Sequence, residues 1–193
     1  MSDPELLVQV LARAFDAAGV AYWIGGSLAS IVHGFPRLTQ DVDFVADLRE
    51  EQVAAFLAQI AADFYVDSET ARDAVRTRTS FNVIHLATMM KADIFVMPDT
   101  DWARSERARR QLAALGDSPE TFYVASAEDM ILQKLEWYRP TGERSDRQWG
   151  DVQGMFKVQG RGLDFPYLRR WAGNLALDDL LDRALADAGL TEA

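Results

Sequence analysis

Two aspartates, Asp41 and Asp43, stand one residue apart in an extended-looking run, residues 40–45, and a Gly25-Gly26-Ser27 triplet precedes them. In a strand the side-chain period is two, so both carboxylates point to one face while Val42 and Phe44 point to the other, the core face. Carboxylates side by side repel each other, and a cation between them relieves the repulsion. Mg²⁺ fits that role, because it prefers oxygen ligands and bridges to substrate phosphates. The glycine pair lets backbone N–H groups approach a phosphate closely. Ser27 adds a hydroxyl at the start of a helix, where the dipole favours an anion. Together these residues describe a site for a nucleoside triphosphate with its metal.

The elements that must position them are legible nearby. The apolar run 20–24 reads as a buried strand broken by Gly25 and Gly26. Residues 27–33 suit a short helix, with Gly34 expected in its left-handed C-terminal position and Pro36 closing the turn. The carboxylates then follow on a second strand, so the context is strand–helix–strand.

The string Gly25-Gly26-Ser27, Ala29, His33-Gly34, Arg37, Thr39, Asp41, Asp43 resembles the signature of the DNA polymerase β-like nucleotidyltransferase superfamily. In particular it is similar to small bacterial members, including the AbiEii-like proteins of toxin–antitoxin and phage-defence systems. The resemblance implies transfer of a nucleoside monophosphate from an NTP to an acceptor hydroxyl or phosphate, with release of pyrophosphate. Asp41 and Asp43 would hold Mg²⁺ or Mn²⁺ ions, each stabilising charge on the attacking or the leaving oxygen. Gly25, Gly26 and Ser27 would hold the phosphates, and Arg37 and Thr39 would brace the loop or reach the triphosphate. The resemblance also implies a third carboxylate on a later strand, and Asp93 in Lys91-Ala92-Asp93 fits that position, as metal ligand or proton acceptor. On the residues alone, Asp93 reads equally as a surface residue at a strand edge. Lys134, and more loosely Arg147 and Asp151, match family positions near the nucleotide; the other reading of Lys134 is an exposed helix lysine.

The acceptor is open: a tRNA end, a protein side chain, or an antibiotic or other small molecule. The competing class is an antitoxin-like or regulatory binding module that keeps the fold and binds a nucleotide or a toxin partner without turnover. A third reading is a single ion that only stabilises the fold.

The rest of the chain is read from periodicity. Helices are expected over 3–18, 47–60, 68–78 and 101–115, the second opened by a capping box at Asp47-Leu48-Arg49-Glu50 and the last stopped by Gly116. Strands are expected at 64–66, 81–86, 92–97 and 122–124. The 101–115 helix carries Arg104, Arg107 and Arg109, with Arg110 beside them; this reads first as a solvated basic face and, as the alternative, as a triphosphate or polynucleotide contact. Ser126 and Ser145 cap two helices, and two more follow near 167–171 and 177–188. In the helix after Ser145, Trp149, Val152, Met155 and Phe156 face inward, with Asp146 and Asp151 outside that stripe. His33 is expected to be a packing histidine, His85 a strand surface residue, and the tryptophans core residues.

The resulting fold class is mixed α/β (α+β). A nucleotidyltransferase-like core, residues 1–124, has a mixed sheet flanked by helices, and residues 125–193 form a helical C-terminal subdomain. With 193 residues, of which 49% are apolar, the chain can bury a sizeable core. It has no cysteine, which excludes disulfides, zinc–thiolate sites and thiol nucleophiles. A formal net charge of −10 argues against broad binding to a nucleic-acid backbone. No apolar run approaches the roughly 18 residues that span a bilayer, so a cytoplasmic location is expected.

Overall fold

The structure, a computed structural model, describes residues 3–34, 36, 38–39, 41–116 and 119–190. Its elements, in chain order, begin with α1 (Asp3–Ala17), β1 (Tyr22–Ile24), α2 (Gly26–His33), β2 (Val42–Ala46) and α3 (Glu50–Ile60). Next come β3 (Phe64–Tyr65), α4 (Ser68–Thr77), β4 (Ser80–His85), β5 (Lys91–Val96), α5 (Asp101–Arg109), β6 (Gln111–Ala114) and β7 (Thr121–Val124). The chain ends in α6 (Ala127–Tyr138), α7 (Asp146–Gln159), α8 (Phe165–Asn174) and α9 (Asp178–Asp187). These elements form two compact units, Met1–Leu28 with Leu38–Ala125 and Ala29–Arg37 with Ser126–Ala193.

The described strands of the first unit form one sheet in the order β3-β4-β5-β2-β1-β7-β6. The sheet is mixed: β2 runs parallel to β5 and β1 parallel to β7, and the remaining neighbours are antiparallel. The alternation in β2 works as the sequence suggests, because Val42 and Phe44 are buried while Asp43 keeps partial exposure. Phe44 lies in an aromatic cluster with Phe15 of α1, whose ring centroid is 5.4 Å away. Phe15 in turn stacks on Phe56 of α3 at 4.6 Å. Burying such rings supplies most of the driving force for seating two helices on one sheet face.

In the second unit, α6 to α9 pack with the later part of α2. Ser126 accepts the backbone N–H of Asp129 at 3.1 Å, capping α6. The fully buried Asp129 accepts hydrogen bonds from the Ser126 hydroxyl at 2.6 Å and from the Tyr167 phenol at 2.5 Å, which ties α8 to α6. Ser145 caps α7 and Asp164 caps α8 in the same way. No described helix is long and apolar enough to cross a membrane.

Several local expectations are corrected. The 101–115 helix is shorter: α5 stops at Arg109, Arg110 turns extended, and residues 111–114 pair with β7 as the edge strand β6. Pairing in the sheet overrides the helical preference of Gln, Leu and Ala. The cap of α3 is Arg49 rather than Asp47, with the Arg49 backbone N–H donating to Gln52 Oε1 at 3.2 Å. Gly34 does not adopt a left-handed conformation. A β-carbon there would lie 2.9 Å from the Ser30 carbonyl oxygen and 3.2 Å from the Met155 nitrogen, so the glycine serves a close approach. His85 is buried rather than on the strand surface, with Nδ1 hydrogen-bonded to Thr88 at 2.9 Å and its ring 5.1 Å from Phe64. His33 is buried, and its carbonyl accepts from Gln159 at 2.8 Å. Among the tryptophans, Trp23 and Trp171 are buried and Trp137 is exposed.

Candidate active site

The carboxylates and the glycine turn meet where β1 hands over to α2. The Gly25 backbone N–H donates to the Asp43 carbonyl at 3.0 Å, one step beyond the pairing of Ile24 with Phe44. Gly26 opens α2 with φ +56°, a conformation that favours glycine. A β-carbon on Gly26 would stand 1.8 Å from Asp43 Oδ2. The Asp43 carboxylate therefore occupies the space that any side chain at position 26 would need. Ser27, in the first turn of α2, is buried.

Parallel pairing of β2 with β5 sets Asp43 opposite Asp93. Opposed residues on adjacent strands project to the same face, with β-carbons roughly 5 Å apart. Asp93 also faces Asn82 across the antiparallel β4–β5 pair, so Asn82, Asp93 and Asp43 form one polar row across three strands. The next row carries Lys91, whose ammonium lies 2.8 Å from Asp93 Oδ2. Asp41 precedes Val42, the register partner of Ala92, and so lies level with Lys91. The hydrogen bond to Asp93, and then the charges of Asp93, Asp41 and Asp43, hold the Lys91 ammonium above its usual range. The three aspartates predicted to act together thus all act on the Lys91 ammonium.

Carboxylate oxygens are hard donors, and a set of three on one sheet face has the chemistry that suits Mg²⁺ or Mn²⁺. Among the described residues no three His, Asp or Glu side chains stand close enough to hold one ion together, and the cation in contact with Asp93 is Lys91. The Thr39 hydroxyl accepts the Asp41 backbone N–H at 3.2 Å, a link that braces the loop entering β2. Arg37 and Gln40 lie outside the described residues.

Lys134 belongs to the helical unit and is neither exposed nor solvated. Its ammonium lies 3.0 Å from Asp151 Oδ2, and the two side chains are 3% and 9% exposed. Asp151, expected outside the apolar stripe of α7, is instead one half of a buried ion pair joining α6 to α7. Asp151 also lines a cavity of about 250 Å³, with Ser30, Pro36, Asp146, Arg147, Gly150 and Gly154. The basic residues near α5 have local partners. Arg104 reaches Asp99 and Asp101 at 2.5 and 2.7 Å, Arg107 reaches Asp47 at 2.9 Å, and Arg110 lies over the Tyr123 ring at 4.5 Å.

Two residues of the carboxylate face went unassigned in the sequence. Lys91 was detectable, since a residue two before Asp93 shares its side of a strand. Asn82 was not, because only the β4–β5 register places it opposite Asp93.

No protein-family model matches the chain, and no curated protein sequence matches it. Solved structures do. An antigenic nucleotidyltransferase-like protein from Paracoccidioides brasiliensis aligns with a TM-score of 0.58 at 17% identity, over 95% of this chain and 92% of that one. The fold is nucleotidyltransferase-like. ANT(2'')-Ia in complex with adenylyl-2''-tobramycin aligns with a TM-score of 0.58 at 13% identity, over 90% of this chain and 98% of that one. The lincosamide antibiotic adenylyltransferase LnuA, bound to lincomycin, gives 0.52 at 12% identity, over 82% of this chain and 98% of that one.

Proposed function

We propose that the protein is a nucleotidyltransferase that moves a nucleoside monophosphate from an NTP to an acceptor hydroxyl or phosphate, with pyrophosphate leaving. The observation that carries this reading is the placement of Asp43. It faces Asp93 across β2 and β5, and its carboxylate fills the space beside Gly26 at the first residue of α2. The Asp43 carboxylate and the first residue of α2 are thereby set against each other. The nucleotidyltransferase-like fold agrees with this reading.

In this assignment the backbone N–H groups of the first turn of α2, with the buried Ser27, take the triphosphate. Gly26, having no side chain, makes room for the Asp43 carboxylate at that turn. Asp41, Asp43 and Asp93 would serve as the carboxylate ligands of Mg²⁺ or Mn²⁺, which would supply positive charge against the attacking and leaving oxygens. Asp93, the carboxylate farther from Gly26 in the strand order, lies on the acceptor side and receives the proton of the attacking hydroxyl or orients it. Thr39 steadies Asp41, and Arg37 is assigned to the triphosphate from its place in the motif. Lys134 positions α7 through Asp151. The acceptor class suggested by the antibiotic-modifying neighbours is a hydroxylated small molecule.

The test is to incubate the protein with each labelled NTP, Mg²⁺ or Mn²⁺ and either cell extract or a panel of hydroxylated small molecules. Label should appear on an acceptor with wild type and be lost with Asp43→Asn. Equal labelling by both proteins removes the assignment. Metal-dependent NTP binding without any transfer would replace it with a nucleotide-binding module of the same fold.

A further inference from the structure

We propose that Lys91 is a built-in counter-ion of the carboxylate face, which competes with a divalent metal for Asp93 and so sets how tightly the site takes the metal. This rests on the reading of Asp41, Asp43 and Asp93 as metal ligands. The Lys91 ammonium is 2.8 Å from Asp93 Oδ2. Lys91 and Asp93 are two residues apart on β5 and share one face. Asp43 stands opposite Asp93, and Asp41 is level with Lys91, so the Lys91 ammonium sits in the field of three anions.

Three carboxylates on one face repel each other unless a cation is among them. An ammonium can serve, since it carries one charge and three donors. A dication in the same place brings twice the charge, but it must first separate Lys91 from Asp93. Lys91 can yield, because its side chain is 53% exposed and its flexible four-carbon stem can swing to solvent. The repulsion within the metal-free face is thus offset, and its affinity for metal is lowered by the same contact.

The experiment is titration of the full chain with Mn²⁺ alone, followed by electron paramagnetic resonance, for wild type, Lys91→Met, Lys91→Arg and Asp43→Asn. Lys91→Met should bind Mn²⁺ about fivefold or more tightly, the effect of removing one charge a few ångströms from a dication in a solvated site. Lys91→Arg, which keeps the charge, should stay near wild type, and Asp43→Asn should bind weakly. Unchanged or weaker binding by Lys91→Met, with Asp43→Asn still weakened, overturns the role of Lys91 and leaves the metal site standing. No saturable binding by wild type or Lys91→Met overturns both. Thermal melts give a second readout: Lys91→Met should melt below wild type in chelator and gain more from Mn²⁺, and an equal gain counts against the proposal.

Discussion

Gly26 and Asp43 exclude each other's alternatives: a β-carbon on the glycine would lie 1.8 Å from the aspartate Oδ2. Gly26→Ala should therefore lose more than the strain of a left-handed alanine, itself about 1–2 kcal/mol, and should displace the carboxylate. Gly19 is the control, with φ +65° and nothing within 4 Å of a β-carbon. Gly19→Ala should lose only the backbone strain and leave Mn²⁺ binding untouched. Urea unfolding and Mn²⁺ titration of both variants decide the matter, and equal losses in stability would mean that Asp43 moves aside freely.

Asp43→Asn should abolish label transfer while the fold survives. The amide keeps the shape but not the charge that attracts a dication. Asp43 is partly exposed and stands among like charges, so its neutralisation should change metal-free stability by less than about 1 kcal/mol. Circular dichroism melts in chelator, paired with the transfer assay, separate a lost reaction from a lost fold.

The buried pair Lys134–Asp151 should behave differently from the carboxylate face. Removing one partner strands a buried charge, at a cost of about 3–5 kcal/mol. Lys134→Met and Asp151→Leu should each destabilise by that order, and the double variant by clearly less than their sum. A double-mutant cycle from urea unfolding measures the coupling, and strict additivity would show that the two charges do not interact.

Asp67 caps α4, accepting the Thr70 backbone N–H at 2.6 Å. That bond, with the Thr70 side chain, holds its carboxyl below the ordinary aspartate value. A depressed carboxyl stabilises the fold above the unfolded pKa, about 3.9, and the contribution is lost as pH falls through the folded value. The stability difference between wild type and Asp67→Ala should hold at neutral pH and narrow below about pH 4. NMR titration of the Asp67 carboxyl at its ordinary value would contradict this.

Much of the fold was legible because its determinants are local. Val42 and Phe44 alternate with Asp41 and Asp43, so the core face of β2 could be assigned before any partner strand was known. Ser126 and Ser145 announced α6 and α7 by their caps. β6 was hidden, since Gln111-Leu112-Ala113-Ala114 has no alternation and becomes a strand only by pairing with β7. His85 was legible: the period of two puts it on the buried face of β4 with Phe81 and Val83, where its ring meets Phe64 of β3.

The sequence by itself determined the chemistry available: a Gly-Gly-Ser turn, two aspartates on one face of a strand, a third on a later strand, and no thiol. Those properties follow from residue type and a side-chain period of two. Only the tertiary structure decided which of these groups meet. The parallel register of β2 with β5 set Asp43 against Asp93, the turn at Gly26 brought the carboxylate of Asp43 into the space of a missing side chain, and the Lys91 ammonium came to rest on Asp93. Lys134 and Asp151, 17 residues apart in the chain, became a buried pair through the packing of α6 on α7. Register and helix packing depend on contacts between distant segments, and those carry no signature in the spacing of neighbouring residues.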